Sequence, residues 1–192
     1  MAKETKGKEV SIMALNKQKL KIRIKGTSPL ICNQFSESQQ DAILSKQMKK
    51  AKVGKVAKDP EKQYKESLYQ MEDGRYGFPC SGFKKSMVRA AKVSAIMPMT
   101  DARGAFHVIG TLAPIKGTPR KRKDTVRLAT GVADIRFRGE FPEWESELYI
   151  TYNANAISDE QLAQLINVAG FAVGIGDWRP EKNGSFGMFE LA

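Results

Sequence analysis

Histidine and cysteine are scarce. One histidine, His107, and two cysteines, Cys32 and Cys80, occur in 192 residues. The cysteines lie far apart, form no CxxC pair and supply no zinc set. They are expected to be reduced core residues. A single imidazole removes most His-based catalytic and metal arrangements, so neither a cofactor nor a metal is expected. No run approaches the roughly 18 apolar residues of a transmembrane helix. The first 17 residues are polar and lysine-rich, without the apolar stretch of a secretory signal. An intracellular chain with no membrane partner is expected.

Acids are outnumbered and unevenly placed. There are 32 Lys+Arg against 21 Asp+Glu, a net charge of +11. Residues 139–192 hold nine carboxylates and two cations, a net of −7; residues 1–138 hold 30 cations and 12 carboxylates, a net of +18. A chain polarised in this way attracts a polyanion, or copies of itself head to tail. The plainer alternative is that the two halves interleave in space.

Along the chain, residues 1–17 read as a flexible basic tail and 18–192 as one domain. From Gln18 to Lys25 the pattern alternates, with Leu20, Ile22 and Ile24 on one face and Lys19, Lys21, Arg23 and Lys25 on the other. Period two marks a half-buried strand whose charged face stays out of the core. Gly26 to Pro29 breaks it, and Leu30-Ile31 forms an apolar anchor. Ser36 opens a helix with Gln39 as capping-box partner. A basic arm, 46–65, follows, with Lys49, Lys50, Lys52 and Lys55 in its flexible middle and Asp59-Pro60 starting a second helix. Tyr64 and Leu68 share a face. A helix capped by Ser81 carries the stripe Phe83, Met87, Ala90 and Ala91, with Lys84, Lys85, Arg89 and Lys92 off the stripe. Met97-Pro98 ends it, and a strand covers Ala105 to Leu112.

Lys116, Arg120, Lys121, Arg122 and Lys123 surround Gly117 and Pro119, which reads as an exposed basic loop, 116–124. Strands are expected at Val126–Leu128, Ala133–Arg138 and around Leu148, Ile150 and Tyr152. Ser158 and Gln161 cap a helix with the stripe Leu162, Leu165, Ile166 and Ala169, stopped by Gly170. The last strands are expected at Phe171–Ile175 and Phe186–Leu191. The mixture points to an α+β fold with a mainly antiparallel sheet, helices on one face and basic insertions.

The segment Gly174–Gly187 carries the sharpest signal. Its glycines bracket Trp178, Arg179 and Lys182 and permit close backbone approach; amide groups in such turns hold anions. The plainer reading is a hairpin whose glycines only turn the chain. The pattern Val173-Gly174-Ile175-Gly176, Arg179 and Gly184-Ser185-Phe186-Gly187 resembles the glycine-rich signature of the RAMP superfamily, RNA-binding subunits of CRISPR effector complexes. Leu20–Pro29 followed by Leu30-Ile31 resembles the first strand of its backbone-forming members. Phe78–Lys85 and Gly174–Phe189 are also similar to small phage-encoded proteins of unassigned role. The resemblance covers about a third of the chain. It implies a ferredoxin-like, RRM-related fold and polymerisation along a single-stranded nucleic acid, here in the cytoplasm of a bacterial host. The loop is longer than the family's and contains Pro180.

Three basic segments add to this, because phosphate contacts supply most non-specific affinity and aromatics offer base platforms. The expected contacts are Lys19, Lys21, Arg23, Lys49, Lys50, Lys52, Lys55, Lys116, Arg120, Lys121, Arg122, Lys123, Arg136, Arg138, Arg179 and Lys182, with Gly176 in the loop. Phe137, Trp178 and Tyr64 or Tyr69 are the candidate platforms. The expected function is sequence-independent single-stranded nucleic-acid binding, DNA favoured and RNA the other choice, with head-to-tail oligomerisation in phage replication or recombination. The alternatives are a protein-interaction or virion-assembly component and a metal-dependent nuclease using Asp101 or His107. The chain is not expected to be an enzyme. The reading requires that the surplus cations line a continuous track and are not mated with carboxylates of their own chain.

Overall fold

The computed structural model describes residues 14–48, 57–127 and 130–192. The alternation after Asn16 becomes strand β1 (Lys17–Gly26), one residue earlier than expected, with Ile22 and Ile24 buried and the lysines exposed. β1 pairs antiparallel with β9 (Glu145–Asn153), which sets Leu20 opposite Ile150 and Ile22 opposite Leu148. The apolar sides of both strands therefore share one face of the sheet. On the far side of β9 lie β5 (Phe106–Val108) and β6 (Leu112–Lys116); beyond β1 lies β10 (Phe189–Leu191). β4 (Tyr76–Pro79) and β3 (Tyr69–Gln70) extend the β6 edge.

Helices α3 (Cys80–Val93) and α5 (Asp159–Val168) pack together against the apolar face. Their stripes meet the expectation: Phe83, Met87, Ala90, Ala91, Leu162, Leu165 and Ile166 are buried. Each large side chain so buried contributes roughly 1.5–3 kcal/mol. β1, α3, β5, β9, α5 and β10 follow one another as two βαβ units with the strand order β10-β1-β9-β5. This is the ferredoxin-like arrangement. Edge-to-face ring contacts run from Phe78 through Phe83 and Phe189 to Trp144, and the Trp144 Nε1–H donates to the Ser28 carbonyl at 2.9 Å.

A second sheet, in the order β2-β8-β7, is inserted between these elements: β2 (Leu30–Cys32), β7 (Arg120–Arg127) and β8 (Ala133–Phe141). The expected basic loop at 116–124 is thus mostly strand. Pairing with β8 overrides the local Gly and Pro signals, because Arg120 and Arg122 meet Glu140 there. α2 (Pro60–Glu66) lies on this sheet, capped by Asp59 as expected. α1 (Glu37–Gln47) has the expected Ser36–Gln39 capping box, yet none of its described side chains is buried.

Other expectations fail as well. α3 starts at Cys80 behind Pro79, with no side-chain cap from Ser81. Pro98 opens a further helix, α4 (Met99–Ala105), where only a break was expected. Gly170 does not stop α5. The helix runs on as a π-helical turn, Ala169–Val173, so Phe171–Ile175 is not a strand. Gly170 is there because a Cβ would overlap the Phe189 carbonyl. The final strand accordingly shrinks to Phe189–Leu191. The tail before residue 14 and Lys49, Lys50, Lys52 and Lys55 lie outside the described residues. Among the described residues no helix is long and apolar enough to cross a membrane.

Candidate nucleic-acid interface

The glycine-rich segment folds back on itself and seats on the β1–β2 connection. The Ile175 N–H donates to Gly187 O at 2.9 Å, the Gly187 N–H to Pro29 O at 2.8 Å, and the Asp177 N–H to Ile31 O at 3.1 Å. Gly174, Gly176 and Gly187 have φ of 68°, 75° and 65°. A Cβ at Gly176 would press on the Ile31 carbonyl, so glycine is required here by close packing as well as by turning.

Opposite this loop stand α3 and α4. Between them lies a cleft of about 760 Å3, lined on the helix side by Lys84, Lys85, Arg89 and Arg103 and on the loop side by Gly174–Asp177 and Arg179. Lys84 Nζ donates to the Arg103 carbonyl at 3.0 Å and lies 2.8 Å from His107 Nδ1. Burial pushes its ammonium below the ordinary 10.5. Arg89 meets Glu181 at 3.3 Å, and Arg179 holds Glu181 at 2.9 Å and the Gly176 carbonyl at 3.1 Å. Lys85 and Arg103 form no ion pair among the described residues. The lining cations outnumber the carboxylates Asp177 and Glu181, and a cleft with a cationic excess and low-dielectric walls concentrates anions. The four helix-side cations were visible in the sequence only as residues off the α3 stripe or, for Arg103, as the neighbour of Asp101. Their helical spacing was the available signal.

The loop rests on the β7–β8 hairpin through buried charge. Arg138 is 4% exposed; it reaches Asp124 at 3.4 Å and Asp177 at 3.3 Å. Arg122 joins Asp124 at 2.8 Å and Glu140 at 2.7 Å, and stacks over Phe186 at 4.7 Å. Arg120 meets Glu140 at 2.6 Å. Burial works to raise the Glu140 carboxyl, but the two arginines outweigh it and hold it below its ordinary value.

The expected continuous cation track is therefore not what forms. Arg138 is a buried structural arginine. Arg120, Arg122 and Arg179 are mated within the chain, Lys21 pairs with Glu147, Arg136 with Asp134, and Lys121 with Glu61. Glu140, Glu147, Asp177 and Glu181 all pair with cations of their own chain. For these groups the charge halves interleave, which removes the simple bipolar argument for head-to-tail docking. Lys19, Arg23, Lys116 and Lys123 remain exposed, the first two on the open face of β1 beside the exposed ring of Tyr149, and Lys182 is exposed on the glycine-rich loop. Trp178 is exposed on that loop, at a φ of 59°. Tyr64 and Tyr69 pack against the core, so neither is a free platform.

Asp101 is exposed on α4 beside Thr100, and His107 faces Lys84. Among the described residues no three of His, Cys, Asp and Glu cluster in metal-holding geometry. Cys32 and Cys80 are buried and unbridged. Burial pushes the Cys32 thiol up to about 12, with Asp177 adding to the rise. Its contribution to stability is full below the ordinary value of 9.0 and is lost as pH climbs toward 12. At about pH 8 the native Cys32 should stay silent to a thiol-disulfide reagent that labels both cysteines in urea; rapid native labelling of Cys32 would contradict its burial.

No protein-family model matches the sequence, and no curated protein matches it. Solved structures do match. A chain in the cryo-EM structure of the Type III-B Cmr-beta bound to cognate target RNA aligns with a TM-score of 0.57 at 10% identity, over 92% of this chain and 59% of that one. Cmr6 from Pyrococcus furiosus aligns with a TM-score of 0.50 at 9% identity, over 93% of this chain and 100% of that one. The present chain thus spans well under two thirds of the first of these. The likeness shows a shared fold, the α+β, ferredoxin-like one that the resemblance implied.

Proposed function

We propose that this chain binds single-stranded nucleic acid without regard to sequence and does not catalyse. The sugar–phosphate backbone lies in the cleft between the glycine-rich loop and α3–α4. The observation that carries the reading is that cleft: Lys84, Lys85, Arg89 and Arg103 converge on one concavity, facing backbone that glycine keeps open. The exposed cations of β1 extend the favourable field. RNA is favoured over DNA, because a chain of like fold belongs to a complex solved bound to its target RNA. Single-stranded DNA, in phage replication or recombination, is the second arm of the test, and assembly of copies along the strand is read from binding to longer strands.

The experiment is a gel shift with oligo(U) and oligo(dT) across a salt series. Lys85→Glu with Arg103→Glu is expected to weaken binding at least tenfold. It should also flatten the salt dependence by about 1.4 in log–log slope, from about 0.7 per lost phosphate contact on a single strand. Unchanged affinity and slope would move the interface elsewhere. Divalent-dependent cutting lost in Asp101→Ala would replace binding with nuclease action.

One observation favours an additional protein partner. Ile43, Leu44 and Met48 of α1 and its C-cap, with Phe35 before it, are exposed large hydrophobics on a helix with no buried described side chain.

A further inference from the structure

A second concavity shares Asn33 with the cleft. It is a recess of about 230 Å3 between the lower half of β8, the start of α1 and the end of α2. It exists because β8 outlasts its neighbour. β2 stops at Cys32, opposite Gly139, while β8 continues down to Ala133 paired only with β7. The other edge of β8 faces the recess. The Gly139 N–H donates there to Ser67 Oγ at 2.7 Å, and the Ile135 carbonyl accepts from Lys58 Nζ at 3.0 Å. Backbone groups alternate along a strand, so the N–H and C=O of Phe137 point to this same side.

Two features of the recess call for a ligand. Phe137 is half-buried, yet it belongs neither to the core nor to the side chains packed against it. An aromatic held out of the core forgoes its main stabilising contribution. Asn33, Gln34 and Gln63 add side-chain amides that both donate and accept. The charges at the rim largely cancel: Asp134 takes Lys58 and Arg136, and Glu66 takes Ser38 Oγ at 3.0 Å and Lys62 at 3.8 Å. A near-neutral wall of donors and acceptors beside an aromatic ring suits a planar, uncharged, hydrogen-bonding group. The volume lies below the roughly 300–1,000 Å3 of drug-sized pockets.

We propose that the recess receives one unstacked nucleobase of the bound strand. The base lies against the Phe137 ring, and its edge meets the amides and the open edge of β8. Amides that rotate between donor and acceptor admit any base, in keeping with sequence-independent binding. The inference rests on the nucleic-acid reading above. Asn33, common to both concavities, is where a strand in the cleft turns a base inward.

The test compares oligo(U) with an abasic spacer strand of equal length, which carries the same phosphates and no bases. The protein should bind oligo(U) about tenfold more tightly than the abasic strand, the size of one base–aromatic stack. Phe137→Ala should erase that preference and leave abasic affinity unchanged. In Phe137→Trp, oligo(U) should quench more indole emission than it does in the unaltered protein, whose Trp144 and Trp178 also emit, and the abasic strand should add no such quenching. Equal binding of both strands by the unaltered protein would overturn the base pocket and leave the cleft intact, as would a preference that survives Phe137→Ala or a Phe137→Trp signal indifferent to bases. Failure of both strands to bind would remove the nucleic-acid reading itself.

Discussion

Arg138→Met should destabilise the protein by about 3–5 kcal/mol, the scale for breaking a buried ion pair from one side. Arg138 sits between Asp124, itself only 6% exposed, and Asp177 of the glycine-rich loop. Removing the guanidinium leaves Asp124 with Arg122 alone, and Asp177 loses its tie to β8. Methionine keeps most of the volume, so the loss reports charge and not a cavity. In a chain of this size about 2–4 °C of melting temperature follows each kcal/mol, so thermal unfolding should begin roughly 6–20 °C lower. The double variant Arg138→Met with Asp124→Leu removes the stranded carboxylate and should recover part of the loss. A single-variant loss under about 1 kcal/mol would mean that water reaches the pair and that it is worth no more than a surface bridge.

Gly187→Ala should be nearly as damaging, and Gly74→Ala is its control. Both glycines have positive φ, 65° and 82°. Around Gly74 a Cβ would meet nothing within 4 Å. Only the left-handed backbone strain remains there, about 1–2 kcal/mol. At Gly187 the same Cβ would overlap the Ile175 carbonyl, and the residue also donates to Pro29. The loop must then leave its seat on the β1–β2 connection. The Gly187 variant should lose at least about 2 kcal/mol more than the Gly74 variant in urea unfolding, as backbone displacement adds to strain. It should also lose oligo(U) affinity, because the loop forms one wall of the cleft. Equal losses at both sites would show that the loop tolerates displacement.

These two sites mark where reading the chain residue by residue ran out. The glycines of 174–187 are conspicuous in the sequence, but the segment on which their loop is seated, Pro29 to Ile31, with the Ile31 carbonyl that demands glycine at 176, is more than 140 residues earlier. The alternation of Arg138 with Arg136 on a strand points both at phosphate. The alternation is real. The carboxylates that meet Arg138 come from β7 and from the glycine-rich loop, and no local pattern encodes that meeting. Gly170 carried a genuine stop signal that close approach of β10 put to another use. Phe137 stands out in the sequence between two arginines, while the open edge of β8 beside it depends on where β2 ends.

What the chain determines alone is whatever lies within a few residues of itself. The period-two run Leu20, Ile22, Ile24, the capping boxes at Ser36 and Ser158, the Asp59-Pro60 start and the stripes of α3 and α5 each rest on interactions spanning at most a turn or two of backbone. The α+β class follows from them. Tertiary structure decided which cations are free. Coulomb interaction depends on distance in space, and folding brings carboxylates from the acidic last third onto arginines and lysines of the basic remainder. The same folding gathers Lys84, Lys85, Arg89 and Arg103, scattered over α3 and α4, into one cleft.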